Sequence, residues 1–125
     1  MASHPIVHVE IPASDTKAAG EFYSRLFDWK LELDPNFDYL QFNAEGGPGG
    51  GFVQVGELGG MQYKPDSLLV YVGTDDIDGT LARAESLGGK TIVPKSEIPQ
   101  VGYFAVLSDP TGNRIGLYSS IGQQG

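Results

Sequence analysis

A chain of 125 residues with no cysteine and a formal net charge of −8 excludes several classes of protein at once. Without cysteine there are no disulfides, thiolate zinc sites or cysteine nucleophiles, and an acidic chain repels phosphate backbones, so we expect no nucleic-acid partner. No apolar run reaches the ~18 residues of a membrane helix, and the N-terminal segment lacks a basic region followed by a long apolar core, so we expect a cytoplasmic protein without a membrane partner.

The first half of the chain predicts a strand, a helix and three further strands. Ile6–Ile11 is rich in β-branched residues, which favour strands, and Ser14 or Asp15 can cap a helix that continues to Phe27. Apolar residues recur in this helix at spacings of three and four. The strands that follow are predicted at Trp29–Leu33, Phe37–Phe42 and Phe52–Val55, with a turn at Asp34–Asn36 and a glycine-rich loop at Ala44–Gly51.

The second half repeats this order after a turn-rich connector at Gly56–Asp66. Asp75 or Asp76 can cap the second helix, and Gly88 follows its predicted end at Leu87. The strands of this half are predicted at Leu68–Val72, at 91–98 with a break at Pro94, at 103–107 and at 114–118, with a turn at 109–112 and a polar tail from 119 onward.

The beginnings of the two halves match each other 61 residues apart. The strings are IVHVEIPASDTKAAGEFYSRLFDW and SLLVYVGTDDIDGTLARAESLGGK, which pair Asp15 with Asp76 and His8 with Leu69. Two units of this size are each marginal alone, so they should belong together. We therefore predict a single α+β domain over residues 1–125, built from one βαβββ module at 5–56 and a second at 66–120.

Three strings carry a resemblance to a known superfamily: HVEIPASD followed by FYSRLFDW, then VGTDDIDGTLARAESLGG, then DPTGNRIGLY. Over about residues 5–120 the chain resembles the vicinal oxygen chelate superfamily, also called the glyoxalase/bleomycin-resistance/dioxygenase fold. The branch that the chain most resembles is that of the small bacterial proteins related to lactoylglutathione lyase. The resemblance implies that the two modules form a curved mixed sheet around a cavity and that the protein is a homodimer.

The resemblance also identifies the positions where metal-dependent members hold a divalent ion, one on the first and one on the last strand of each module. Here these positions are His8, Gln54, Leu69 and Gly116. Leucine has no donor atom and glycine has no side chain, whereas a catalytic metal site needs about three protein ligands. We therefore expect no metal and no other cofactor, which argues against lyase, ring-cleaving and epoxide-opening chemistry of the metal-dependent kind.

His8 and Glu10 share one face of the first strand, and the other face is apolar. His8 can be a hydrogen-bonded remnant of a metal site, a ligand-binding or acid–base residue, or a metal ligand; its ordinary pKa suits proton transfer. Glu10 can orient His8, restore part of a metal site, or pair with Arg114 or Lys30, since a buried carboxylate needs a partner.

The other candidates are expected on the same side of the sheet. Tyr71 and Tyr118 offer aromatic surfaces with one hydrogen-bonding tip, or they fill the space that a ligand would occupy. Arg114 can clamp an anionic group or form a surface ion pair. The predicted ligand-binding residues are His8, Glu10, Phe52, Gln54, Leu69, Tyr71, Arg114, Gly116 and Tyr118, with His8 as the catalytic candidate.

Three functions remain open at this point. The first is a protein that binds a small organic molecule in a cavity with a degraded metal site. The second is an enzyme, either a metal-dependent lyase, isomerase or dioxygenase with a site rearranged around His8, or a metal-free enzyme that uses His8 as its base. The third is a non-catalytic dimeric interaction module. The glycine-rich loop lacks the Lys-Ser/Thr ending of a phosphate-binding loop, so we interpret it as a turn or a mobile lid.

Overall fold

A computed structural model describes residues 4–34 and 39–121. The chain divides into two compact units, one formed by residues 8–69 and one by residues 1–7 together with 70–125. Each unit contains one helix packed with four strands of mixed parallel and antiparallel pairing, and unit 8–69 also contains a separate two-stranded hairpin, which confirms the predicted α+β class. Neither helix in the described part of the chain is long and apolar enough to cross a membrane. The turn predicted at Pro35 and Asn36 and the strand start at Phe37 lie outside the described residues.

The strands of unit 8–69 are ordered β2-β3-β4-β1, and β1 is parallel to β4 while the other neighbours are antiparallel. β1 runs two residues beyond the predicted end at Ile11, and its first two residues, Ile6 and Val7, belong to the other unit. The elements are β1 (Ile6–Ala13), α1 (Thr16–Phe27), β2 (Lys30–Asp34), β3 (Tyr39–Asn43) and β4 (Gly49–Gln54).

The connector predicted at 56–66 contains a β-hairpin, β5 (Gly56–Leu58) and β6 (Met61–Tyr63). Gly59 and Gly60 form its turn with φ angles of 61° and 83°. The two-residue turn that best matches the twist of hairpin strands requires two successive residues with positive φ. The turn-rich composition was therefore interpreted correctly at Gly59 and Gly60, but the strands on either side of them were missed.

The second unit repeats the arrangement of the first, with strand order β7-β10-β9-β8 and a parallel pair between β7 and β10. Pro94 does not break its strand as predicted, because shifts in register on either side of Val93 accommodate it. The predicted tail begins too early, since Ser119 and Ser120 belong to the last strand. The elements are β7 (Leu69–Gly73), α2 (Ile77–Ser86), β8 (Lys90–Ile98), β9 (Gly102–Ser108) and β10 (Arg114–Ser120).

The two helices begin in the same way. The Asp15 carboxylate accepts a hydrogen bond from Ala18 N at 3.1 Å, and the Asp76 carboxylate accepts one from Gly79 N at 3.0 Å. Each aspartate satisfies a backbone donor that the first helical turn leaves without a partner. The 61-residue repeat is thus confirmed for Asp15 and Asp76, which have the same structural role in the two modules.

Each unit packs its helix on one face of its own strands. In unit 8–69 the buried residues Ile11, Phe42 and Phe52 form a cluster with the half-buried Tyr23 and Trp29. In the other unit the cluster is formed by Ile77, Leu81, Ala105 and Leu117. Because side chains alternate across a strand, the opposite face of each set of strands carries a different set of residues, and His8, Glu10, Tyr71 and Gly116 lie there.

Candidate functional site

A chain of hydrogen bonds joins three side chains on the strand face that points away from α1. Tyr39, at the start of β3, places its hydroxyl 2.9 Å from His8 Nε2 and donates to Glu10 Oε2 at 2.8 Å. The His8 and Tyr39 rings are nearly parallel, with centroids 6.2 Å apart. The predicted shared face of His8 and Glu10 is confirmed, and a tyrosine lies between their polar ends.

Burial sets the protonation of this group. It lowers the pKa of the His8 imidazole below its usual 6.5, because removal from water disfavours the charged form. The pKa of the Tyr39 hydroxyl is raised, first by burial and then by the nearby Glu10 carboxylate and the hydrogen bond to it. At neutral pH the arrangement therefore consists of a neutral imidazole and a neutral phenol beside a carboxylate.

A second tyrosine reaches Glu10 from the β5–β6 hairpin. The Tyr63 hydroxyl lies 3.5 Å from Glu10 Oε1, a long contact compared with the one made by Tyr39. Tyr63 and Met61, which alternate with the exposed Gln62 on β6, are 6% and 4% exposed. The hairpin therefore buries one edge of the site and adds a hydroxyl to its carboxylate.

The ring of Tyr39 covers a glycine of the last strand in this unit. A Cβ atom at Gly51 would overlap Cζ, Cε2 and Oη of Tyr39. Gly51 is directly opposite Glu10 in the parallel pairing of β1 with β4. The position next to Glu10 is thus occupied by an aromatic ring from β3 instead of a side chain of β4.

This register corrects the predicted role of Gln54. Glu10 pairs with Gly51, and Tyr71, which lies 61 residues after Glu10, pairs with Gly116. The residue equivalent to Gly116 is therefore Gly51, and Gln54 lies three residues further along the strand. Gln54 is exposed and donates from its side-chain amide to the Ser14 carbonyl at 2.8 Å. The error arose because residues 49–51 were assigned to a loop, whereas they form half of β4.

The second unit also covers its last-strand glycine with a tyrosine ring, but from a different strand. A Cβ atom at Gly116 would lie 2.6 Å from Cε2 and 2.9 Å from Cγ of Tyr71. Tyr71 comes from β7, the first strand of its module, whereas Tyr39 comes from β3, the third strand of its own module. In both modules an aromatic ring thus fills the space that a side chain at the last-strand glycine would occupy.

The remaining predicted residues differ in their surroundings. Phe52 was wrongly expected to line the site: it pairs with Ile11, stacks on Tyr23 and is 2% exposed in the core under α1. Leu69 is 1% exposed. Arg114 is half-buried at the start of β10, and the ligand-binding roles of Leu69 and Arg114 stay predictions.

Tyr118 shares the strand face of Gly116, as predicted, since the two are separated by one residue on β10. Its hydroxyl lies 3.5 Å from the Val101 carbonyl, and burial raises its pKa. The hydroxyl is therefore directed toward the chain's own backbone, and a ligand contact by the ring of Tyr118 stays a prediction.

The residues at the superfamily's metal positions do not fit a divalent ion. With the corrected register these positions are His8, Gly51, Leu69 and Gly116, and only His8 has a donor atom in its side chain. Across residues 4–34 and 39–121, no three histidine, aspartate or glutamate side chains are grouped so that they could hold a metal ion. A single imidazole is too few ligands for zinc or a similar ion.

Sequence reasoning missed Tyr39, Tyr63 and Gly51. Three signals for them were present. Three consecutive glycines inside a strand indicate that another group approaches the backbone closely, and alternation along β3 places Tyr39 on the face opposite the buried Phe42. For Tyr63 the signal was the Gly-Gly pair that marks a hairpin turn.

The chain matches a known family over most of its length. The sequence profile of the family described as "Glyoxalase-like domain" matches residues 8–118. The fold is similar to the crystal structure of a glyoxalase/bleomycin resistance protein/dioxygenase superfamily member from Vibrio splendidus, with a TM-score of 0.66 and 10% identity. That likeness covers 94% of this chain and 100% of the other, and it bears on the fold alone.

Two relatives are similar in sequence. The putative glyoxylase CFP32 of Mycobacterium bovis is 46% identical over 61 residues, which make up 45% of this chain and 23% of that protein. The anthracycline biosynthesis protein DnrV of Streptomyces peucetius is 28% identical over 125 residues, covering 82% of this chain and 42% of that protein. The matched chain thus spans less than half the length of either relative.

Proposed function

Because this chain belongs to the glyoxalase-like domain family of the vicinal oxygen chelate superfamily, we propose that it binds a small organic molecule without a metal ion. The proposed site is the strand face that carries His8, Glu10 and Tyr39. The observation that supports the proposal is the Tyr39 hydroxyl, which lies between the imidazole and the carboxylate. His8 and Glu10, which could otherwise have bound an ion, instead form hydrogen bonds with the Tyr39 hydroxyl.

Both last-strand glycines support the absence of a metal. At Gly51 and Gly116 a ligand side chain is missing, and the space next to each backbone is filled by the ring of Tyr39 or Tyr71. Tyrosine rings present broad apolar surfaces, which suit contact with an organic molecule. The Streptomyces relative is named for the biosynthesis of anthracyclines, which are planar aromatic compounds, and this makes aromatic molecules the first class to test.

A second candidate function is a metal-free enzyme with His8 as general base. The observation that favours it is the burial that lowers the pKa of His8, since this keeps the imidazole neutral and able to accept a proton at physiological pH. Such an enzyme would use the same strand face and the same absence of metal. Loss of turnover in His8→Gln with ligand binding retained would distinguish it from a binding protein.

Elemental analysis combined with ligand titration tests the proposal. Protein purified without chelators is incubated with zinc, nickel or ferrous iron, and the metal per chain is measured. The same protein is titrated with an anthracycline and with 2-naphthol, followed by tryptophan fluorescence and NMR. His8→Gln is the test variant and His4→Gln the matched control, because these are the two histidines of the chain and His4 is exposed.

We expect metal near zero, and saturable binding of an aromatic probe that is weakened by His8→Gln and unchanged by His4→Gln. About one metal ion per chain, lost in His8→Gln, would overturn the proposal and return metal-dependent lyase, isomerase and dioxygenase chemistry to consideration. Failure of both probes to bind at their solubility limits would count against an aromatic-binding site.

We also propose that the protein is a homodimer that uses the outer face of α1. Phe22 and Phe27 are 60% and 54% exposed there. The position 61 residues after Phe22 is the polar Arg83 on α2, and the position 61 residues after Phe27 is Gly88, two residues beyond the end of α2. The second module therefore lacks both of these exposed aromatic side chains. Large exposed apolar patches commonly mark interaction surfaces.

Sedimentation velocity tests this second proposal. Phe22→Arg gives α1 the residue that α2 has at the equivalent position. The control is Leu87→Arg, at a residue that directly follows α2 and is 66% exposed. We expect the wild type and Leu87→Arg to sediment as dimers and Phe22→Arg as a monomer. A monomeric wild type would refute the dimer and would also remove the main support for a dimeric interaction module.

A further inference from the structure

The hydrogen bonds of Tyr39 determine which nitrogen of His8 carries a proton. A phenol has one proton to donate, and Tyr39 donates it to Glu10 Oε2 at 2.8 Å. Toward His8, at 2.9 Å, the same oxygen can therefore act only as an acceptor. The nitrogen that faces it is Nε2, so Nε2 must carry the hydrogen, and a neutral imidazole then has its lone pair on Nδ1.

We propose that Tyr39 and Glu10 are positioning residues that hold neutral His8 as the Nε2-protonated tautomer, so that an organic ligand that bonds to the His8 ring must donate a hydrogen bond to Nδ1. The inference rests on the proposed binding site for its ligand and on the geometry alone for its tautomer. The same tautomer makes Nε2 a poor metal ligand in this chain, because this nitrogen carries a hydrogen that is engaged with Tyr39.

The direction of the chain of bonds identifies the class of ligand. Glu10 faces tyrosine hydroxyls with both carboxylate oxygens, Oε2 toward Tyr39 and Oε1 toward Tyr63, which is the arrangement of an ionised, acceptor-only carboxylate. A ligand at His8 must therefore bring its own hydrogen-bond donor, and a negative charge on it would be repelled by Glu10 and by the net charge of −8. The class is neutral or cationic molecules with a hydroxyl or N–H group.

Long-range ¹H–¹⁵N NMR on ¹⁵N-labelled protein at about pH 8, where an ordinary histidine is neutral, tests the tautomer. His4 is exposed and serves as an internal reference in the same spectrum. We expect the ratio of Nε2-H to Nδ1-H forms at His8 to exceed that at His4 by at least about threefold, which is near the lower end of what one ordinary hydrogen bond contributes. Equal ratios at the two histidines, or a majority of the Nδ1-H form at His8, would overturn the inference.

Two phenylalanine variants identify the residue responsible. Tyr39→Phe keeps the ring on Gly51 but removes the hydroxyl, and it should shift the His8 tautomer ratio toward that of His4. Tyr63→Phe removes the 3.5 Å contact to Glu10 without touching His8 and should leave the ratio unchanged. A His8 ratio that survives Tyr39→Phe would refute the positioning role of Tyr39, whatever the ligand proves to be.

Matched probes test the ligand class separately. 2-Naphthol carries a hydroxyl donor, 2-methoxynaphthalene has the same rings without it, and 2-naphthoate is an anion. We expect 2-naphthol to bind roughly tenfold more tightly than either of the others, which corresponds to about one hydrogen bond, and to perturb the His8 Nδ1 resonance. Equal affinities for 2-naphthol and its methyl ether, or a preference for the anion, would overturn the ligand class while leaving the tautomer result intact.

Discussion

Replacing Gly51 by alanine tests the contact between β4 and the Tyr39 ring. The added methyl group would overlap three atoms at the far end of that ring. If the ring stays, the overlap costs about 1–3 kcal/mol of strain. If it moves away, its hydroxyl loses Glu10 and His8, which costs roughly 2–4 kcal/mol for one charged and one neutral hydrogen bond. The response with the lower free-energy cost will predominate, so we expect a loss of roughly 2 kcal/mol in the free energy of unfolding.

Urea unfolding followed by tryptophan fluorescence measures this loss. The chain has one tryptophan, Trp29, and its ring stacks on Phe42 with centroids 4.3 Å apart, so its emission reports on the core beside β4. With a urea dependence of about 1–2 kcal/mol per molar, the midpoint should fall by roughly 1–2 M. Gly47→Ala is the matched control, because a Cβ there meets nothing within 4 Å and its φ is not positive.

The double variant Tyr39→Ala/Gly51→Ala isolates the contact. Once the ring is absent, the second methyl group has nothing to overlap, so Gly51→Ala should cost close to nothing in the Tyr39→Ala background. The coupling free energy of the cycle should therefore be roughly 2 kcal/mol. If Gly51→Ala unfolds at the same urea concentration as Gly47→Ala, or if the cycle shows no coupling, then the Tyr39 ring does not cover Gly51 and the proposed site geometry is wrong.

Three further predictions follow from the same structure. Gly116→Ala should destabilise the protein at least as much as Gly51→Ala in the same urea assay. Its Cβ would lie 2.9 Å from Cγ of Tyr71, the ring atom next to Cβ, which moves little when the side chain rotates. An unchanged urea midpoint would contradict this prediction. Asp76→Ala should lose about 1 kcal/mol by removing the helix cap, seen as a fall in Tm of about 3–6 °C, whereas Asp76→Asn should stay near wild type. The pKa of the Tyr39 hydroxyl is raised in the folded state, so above about pH 10 the folded protein keeps a proton that the unfolded chain releases. The stability contributed by Tyr39 is therefore present below that pH. It is lost as the pH rises further, by about 1.4 kcal/mol per pH unit. Tyr39→Phe should remove that part of the slope in unfolding curves measured between about pH 9 and 11, and equal slopes would contradict the burial of the hydroxyl.

The features that sequence reasoning predicted well depend on local chemistry. A helix cap needs an aspartate and the backbone donors of the next three residues, so Asp15 and Asp76 could be identified from their neighbours alone. The shared face of His8 and Glu10 follows from the two-residue period of any strand. In both cases the information lies within a few consecutive residues, and the fold adds only confirmation.

The features that it missed depend on pairing between distant strands. Residues 49–51 look like a loop because glycine is typical of turns, yet their glycines are required by what lies across the sheet: a Cβ at Gly50 would overlap the Val9 carbonyl, and one at Gly49 would lie 2.6 Å from the Phe42 carbonyl. Assigning them to a loop moved the expected last-strand position to Gln54. A register error of this kind changes both the residue and the face that it occupies.

The last-strand glycines of the two modules are covered by tyrosine rings from different strands, and this bears on how each position can be altered. Tyr39 reaches Gly51 from β3, whereas Tyr71 reaches Gly116 from β7, the first strand of the other module. A carboxylate introduced at Gly51 alone would meet the Tyr39 ring, and removal of Tyr39 alone would leave Glu10 and His8 without the hydroxyl that joins them. Each single change is destabilising, so restoring a metal donor needs paired substitutions in the same module. In each module the glycine and the ring that covers it therefore behave as one unit.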